Sequence, residues 1–274
     1  MLLVFGAFAG LFFVGERLFP RRPQSLLRPG LVADACYVPL HYLLRVAISF
    51  VAADALASAA DRLVPGRRPM LDGLPVWQQA IFVLLVLDVF FYGMHRLKHA
   101  WPWWWRLHET HHNSTHIDVL ASARFHPLEK IIDRLIFLLP LTVLGPSDRA
   151  LLVWSSVDVF LGMLNHANVR CRFGPLSYLL VTPDLHRRHH ARDAVSGDCN
   201  FGNNFSILDW LFGTAQLLRE DPPAFGVEAP DYPHDSLARQ FAFAFRPEWL
   251  RRGHSRRVAP PPTDAVVRIN LTAG

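Results

Sequence analysis

Charge is scarce in this sequence. Charged residues fill 19% of its 274 positions, against roughly 25% in an average soluble domain. The positive side is almost all arginine, with lysine only at Lys98 and Lys130. Cysteine is rarer still. Cys36, Cys171 and Cys199 lie far apart with no C-x-x-C, which excludes a disulfide framework, a zinc ribbon and an iron–sulfur cluster. With no C-x-x-C-H haem motif and no G-x-G-x-x-G, the chain has no evident redox cofactor of its own. What it has instead is 51% hydrophobic residues, including 20 Phe and 8 Trp, a composition that does not stay solvated and disordered. The net charge of +5 would suit nucleic acid. However, the basic residues flank apolar stretches rather than gather on one polar helix, which points to a membrane and away from nucleic acid.

Three segments can be compared with the roughly 20 apolar residues that a spanning helix needs. Met1 to about Phe19 lacks a basic leader and a small-residue cleavage site, so it reads as a retained membrane helix ending at Pro20, with Glu16 and Arg17 near the interface. Leu31 to about Leu56 is interrupted by Asp34, His41 and Arg45, whose spacing puts them on one face turned towards protein. His41 there reads as a satisfied buried histidine. Val76 to Met94 is the strongest span, with one buried acid at Asp88. The apolar region 131–165, broken by Pro140, Gly145 and Pro146, reads as a helical hairpin. Arginines in the first loop and after Met94 outnumber those between the second and third spans. That bias puts the region after Met94 on the cytoplasmic side. Trp101, Trp103, Trp104 and Trp105 read as an interfacial aromatic belt.

Histidine is abundant: 14 residues, of which 11 fall between His95 and His190. His95 and His99 are spaced i, i+4. His108, His111 and His112 form H-x-x-H-H, and His186, His189 and His190 repeat that spacing. On helices each set presents its imidazoles on one face. One tetrahedral zinc takes four ligands, so eight donors suit two metal ions. Glu109 is the only carboxylate inside the boxes, which disfavours a carboxylate-bridged bundle site. Imidazole alone suits Fe, Zn, Cu and Ni alike. His116, His234 and His254 fall outside the pattern and read as solvent-facing. Asn200, Asn203, Asn204 and Asp209 either orient imidazoles by hydrogen bonds or cap a turn, and Asp184 and Asp193, which flank the third set, have the same two readings.

The pieces HRLKH, WWRLHETHH, SARFHPLE, NHANVR, TPDLHRRHH and NFGNNFSILDWLFGT, over about 88–214, resemble the fatty acid hydroxylase superfamily, or sterol desaturase family, of histidine-rich membrane enzymes. The resemblance implies an all-α, integral-membrane bundle of three to five membrane helices with a cytosolic histidine-rich helical cap. It also implies two irons, replaceable by zinc in preparations, held by His95, His99, His108, His111, His112, His186, His189 and His190. His166 stands where many relatives place another histidine and joins this ligand set. His126 is either a ligand, a partner to one, or a helix-start residue before Pro127. The implied reaction is O2-dependent hydroxylation or desaturation of a lipid, fatty acyl or sterol-like. Electrons would come from a separate reductase, ferredoxin or cytochrome, and the setting would be a bacterial inner membrane. The chain then divides into transmembrane helices (1–94), a histidine-rich catalytic region (95–250) and a flexible tail (251–274), with Ser255–Gly274 proline-rich. The competing reading is a histidine-rich membrane metal-binding or transport protein. A transporter places its ionisable residues near the bilayer midplane, whereas these clusters follow a span.

Overall fold

The computed structural model describes residues 2–66, 68–171, 173–192, 198–217, 221–227, 229 and 231–246. These form α1 (Leu2–Leu18), α2 (Leu31–Leu63), α3 (Val76–Ala100), α4 (Pro102–His112), α5 (Pro127–Leu144), α6 (Asp148–His166), α7 (Pro183–His189), α8 (Ile207–Leu211) and α9 (Leu237–Phe243). Short 3-10 turns at Val119–Ala123 and Gly174–Tyr178 join them. Three helices start on a proline at the first turn: Pro102 for α4, Pro127 for α5 and Pro183 for α7. Proline there loses no bond that the helix would have made, and its fixed φ sets the helical phase. That phase decides where the histidines of α4 and α7 point.

Of the described helices, α2 and α3 are long and apolar enough to cross a membrane. The 17 residues of α1 reach only about 25 Å, short of a hydrocarbon core of roughly 30 Å. Leu43, Phe50, Phe82, Val89, Leu139 and Val153 stand exposed on four helices, an apolar exterior that suits lipid better than water. The polar residues lie inside. Glu16, expected near the interface, is buried and accepts the backbone N–H of Val119 and of Asn168, each at 2.8 Å. The tryptophan belt is half correct. Trp101 and Trp103 are exposed, but Trp104 packs with Met94 and Leu107, and Trp105 lies 5.0 Å from the His99 ring. Three consecutive tryptophans on α4, Trp103 to Trp105, cannot share one face, so some must turn inward.

Helix α5 runs through Pro140, and the break comes at Gly145. Proline removes one helical bond, and near the end of a helix against a packed core that loss is small. Gly145 sits at φ 58°, and a Cβ there would run into Pro69, so both conformation and space demand glycine. Helices α5 and α6 do not close into a tight hairpin. Instead α5 lies along α2 and α6 along α3. The space they enclose is a cavity of about 970 Å³, walled by α2, α3, α5 and α6 and floored by histidines.

A buried ion network fixes the start of α2 to the rest. Asp34 is fully buried between Arg28 (2.8 Å) and Arg124 (2.6 Å). Arg28 also meets both oxygens of Asp118 at 2.6 and 2.9 Å, and Arg124 Nε donates to the Thr110 carbonyl at 2.9 Å. Asp34 thus faces protein, as its spacing suggests. His41 faces protein too and hydrogen-bonds the Phe125 carbonyl at 3.2 Å, and it also lines the cavity. His116 and His234 are half-buried, not solvent-facing. Asp193, His254 and the tail 251–274 lie outside the described residues. Removing one partner of a buried pair strands the other charge. Arg124→Met is therefore expected to cost about 3–5 kcal/mol of stability in detergent unfolding, and Asp34→Leu combined with it less than the sum of the two single changes.

Candidate metal centre

The imidazoles converge from four helices. Helix α3 supplies His95 and His99 one turn apart, and α4 supplies His108, His111 and His112. Helix α6 ends on His166. Helix α7 supplies His186 and His189, with His190 at its cap. All nine are buried. They fall into two groups whose ring nitrogens lie within 4.8 Å of one another: His95, His99, His108, His112 and His189, and beside them His111, His166, His186 and His190. The structure thus brings together every one of the nine histidines singled out by spacing and resemblance.

The hydrogen bonds say which nitrogen of each ring points inward. Nδ1 of His95 donates to the Phe201 carbonyl (2.9 Å), His111 to Arg124 (3.0 Å), His166 to Gly162 (2.8 Å) and His189 to Cys199 (2.7 Å). His108 Nδ1 donates to the Glu129 carboxylate at 2.8 Å. A neutral ring with its proton on Nδ1 carries only a lone pair on Nε2. Yet His95 and His108 bring their Nε2 atoms to 3.1 Å, and His111 and His166 bring theirs to 3.4 Å. His186 Nε2 lies 2.9 Å from His166 Nε2 and 3.0 Å from His190 Nε2.

Two lone pairs facing across 3 Å repel unless a cation sits between them. At a metal–nitrogen distance of about 2.1 Å, neighbouring ligands stand roughly 3.0–3.4 Å apart, as these do. Charging the rings does not relieve the repulsion. Burial first, and then the neighbouring imidazoles, hold His111, His112, His186 and His190 well below the ordinary histidine pKa. The rings stay neutral, the form that binds metal. Nε2 of His112 and Nδ1 of His190, buried and without a hydrogen-bond partner among the described residues, also suit a cation. Both groups therefore fit metal ions.

Three other sequence candidates lie off the centre. His126 uses both nitrogens elsewhere: Nδ1 accepts from Leu128 N at 3.1 Å, capping α5, and Nε2 donates to the Phe241 carbonyl at 3.1 Å. It is a helix-start residue and not a ligand, because a committed lone pair cannot also bind metal. Asp209 joins neither group. Its carboxylate accepts from Phe201 N (2.7 Å), Gly202 N (2.8 Å) and the Thr214 hydroxyl (2.7 Å). Asn200, at φ 54°, ties Leu185 and Gln216 together through its side chain. Asn200 and Asp209 touch no imidazole. They hold the loop whose carbonyls, at Cys199 and Phe201, orient His189 and His95. Gly202 in this loop has no room for a Cβ, which would meet Phe205 O at 2.6 Å. Asp88 receives Asn204 N (2.8 Å) and Phe205 N (3.2 Å), anchoring the loop to α3. Asn203 and Asn204 donate to Asp158, and Asp184 pairs with Arg21.

Glu129 was not evident from spacing. It is fully buried between His108 and Lys98 (2.8 Å), and Lys98 also meets Asp133 at 2.7 Å. The one signal in the sequence was its position in FHPLE, one helical turn from the capping His126. A carboxylate on the outer nitrogen of a ligand histidine fixes its tautomer and raises its basicity. Glu129→Gln is expected to weaken metal binding by about 10–100-fold in a chelator titration. By contrast, His126→Ala should leave metal binding intact and lower stability by about 1 kcal/mol.

Comparison with known proteins agrees with this geometry. The sequence model of the fatty acid hydroxylase family matches residues 80–214, which hold every histidine of both groups. Ornithine lipid hydroxylase OlsE of Rhizobium tropici is 35% identical over 203 residues, covering 74% of this chain and 60% of that protein. Alkylglycerol monooxygenase of Caenorhabditis elegans is 28% identical over 162 residues (59% of this chain, 32% of the relative), and that of Homo sapiens 30% over 162 residues (59% and 36%). The chain thus spans between a third and three-fifths of these relatives. No solved structure gives a significant match. Residues 80–214, just under half of the chain, are a fatty acid hydroxylase domain.

Proposed function

We propose that this chain is a membrane-bound, non-haem di-iron oxygenase that hydroxylates or desaturates a C–H bond of a lipid. The observation that carries the reading is the pairing of bare Nε2 lone pairs in the lining of a largely apolar cavity. His95, His99, His108, His112 and His189 would hold one iron, and His111, His166, His186 and His190 the other. Iron held there supplies reductive activation of O2, which the side chains of this chain cannot provide. The relatives are named for lipid hydroxylation and ether-lipid oxygenation, and both belong to that reaction class.

The rest of the work falls to the protein's own residues. Phe91, Phe137, Leu87 and Trp154 make an apolar wall beside His95 and His108, so a lipid chain can enter and bulk water is displaced. The carbonyls of Phe201, Arg124, Gly162 and Cys199, with Glu129, hold five rings in register. Fixed rings keep the reacting carbon within reach of the centre, and small shifts in its position select hydroxylation or desaturation. Electrons come from a separate reductase, ferredoxin or cytochrome. The histidine layer faces the cytoplasm of a bacterial inner membrane, in line with the excess of arginine on that side.

Detergent-purified protein is expected to hold about two irons per chain, lost in the His189→Ala, His190→Ala double variant. With O2 and a reductant it should convert a membrane-lipid mixture to products one oxygen heavier or two hydrogens lighter by mass spectrometry. Zinc in the purified protein would reflect misloading of imidazole sites and would be replaced by ferrous iron before assay. One metal or none, unchanged in the double variant, would overturn the reading.

A further inference from the structure

The cavity wall carries charges that metal binding does not use. Arg45, Lys130 and Arg134 line it on the positive side, and Asp54, Asp133 and Asp158 on the negative. Most have partners. Asp133 pairs with Lys98 at 2.7 Å, and Asp158 accepts the side-chain amides of Asn203 (2.8 Å) and Asn204 (3.2 Å). Lys130 Nζ lies 3.4 Å from the centre of the Phe125 ring. Asp54 lies nine residues beyond Arg45 on α2, about 13.5 Å along its axis.

The two guanidinium groups differ from the rest. Arg134 directs both Nε and Nη2 at one neutral acceptor, the Ser49 hydroxyl, at 3.1 and 2.6 Å. Arg45 makes no hydrogen bond or ion pair among the described residues. Ser49 is one turn from Arg45 on the same face of α2, so α2 and α5 bring the two cations to one part of the wall, within electrostatic range of each other, with Asp158 in range of Arg134.

Their depth makes this costly. Arg45 lies near the middle of the 33-residue α2, four residues, about 6 Å of helix, beyond the cavity-lining His41. On α5, Arg134 is five residues, about 7.5 Å of helix, beyond Glu129 at the histidine layer. Ionisable groups at such depth are costly to keep and mark a function. A single acid already occupied by two amides does not balance a pair of arginines, whereas an anion that offers two or more oxygens fits both forks.

We propose that Arg45 and Arg134, with Ser49 between them, form a subsite for the anionic group of the lipid substrate, a carboxylate or phosphate, whose chain lies along Phe91, Phe137 and Trp154. This assignment rests on the reading of the cavity as the chamber for lipid oxidation, and it narrows the substrate to an acidic lipid.

Binding tests it independently of turnover. The iron-loaded protein in neutral detergent is titrated with 9,10-dibromostearate and with its methyl ester, read by quenching of tryptophan fluorescence, Trp154 being in the wall. The acid is expected to bind at least tenfold more tightly than the ester. Arg45→Gln and Arg134→Gln should each remove most of that preference while leaving ester binding and iron content unchanged, and Arg134→Lys should restore part of it. Equal binding of acid and ester to the unaltered protein would overturn the subsite, as would equal losses for both probes in iron-replete variants. Competition by inorganic phosphate without an acid–ester difference would assign the arginines to a free anion and overturn the lipid assignment. An acid preference in a protein that never oxidises lipid would keep the subsite and sink the oxygenase reading. Oxidation of neutral and acidic lipids at equal rates would do the reverse.

Discussion

Lone pairs that face one another across a dry interior are the constraint on which the rest of this molecule depends. An apolar medium offers no water to separate His95 from His108 or His111 from His166, and burial keeps the rings from charging. Only a cation reconciles that arrangement with a stable fold. The protein has an unusual layering as a result. A large polar centre lies inside, beside buried apolar clusters, while many aliphatic and aromatic side chains stand exposed on the long helices, an exterior suited to a membrane.

Holding rings in an unfavourable arrangement requires support from all around them, and that support is mostly backbone. Four carbonyls and one carboxylate receive the outer nitrogens, and they come from segments as far apart as residues 124 and 201. Each support is itself held. Arg124, whose carbonyl orients His111, is fixed through its side chain to Asp34 and Thr110. Phe201, whose carbonyl orients His95, is fixed through its N–H to Asp209. Residues with no contact to an imidazole therefore decide where the imidazoles point, and the charged network at the start of α2 and the loop after α7 serve one purpose.

Much of this was legible in the sequence. Helical spacing found eight imidazoles, and the resemblance added His166, because ligand sets on helices leave a periodic trace. The existence of α3, α5 and α6 was readable from apolar runs. The break at Gly145 was readable as well, but not the continuity through Pro140, which depends on packing. What the sequence hid were partnerships across long separations. Glu129 with His108 and Lys98, Arg28 and Arg124 with Asp34, and Asp88 with the 204–205 backbone leave no periodic signature. His126 stayed open between its readings for the opposite reason. A histidine before proline looks the same whether it binds metal or caps a helix, and only its two hydrogen bonds distinguish the roles.

Helices α4 and α7 each feed both histidine groups: His108 and His112 on one side against His111 on the other, and His189 against His186 and His190. The centre therefore has no independent halves, and this sets its order of assembly during synthesis. The ligands of α3 and α4 leave the ribosome early, together with the helices that enter the lipid. Those of α7 follow some 75 residues after His112, and the loop that orients His95 and His189 is tied down only when Gln216 pairs with Asn200. Until then each group lacks at least one of its imidazoles or the carbonyl that orients it, so the full donor set exists only once α7 and its loop have joined the earlier helices. A chain stopped short of that loop would carry every imidazole but lack the carbonyls that set the directions of His95 and His189.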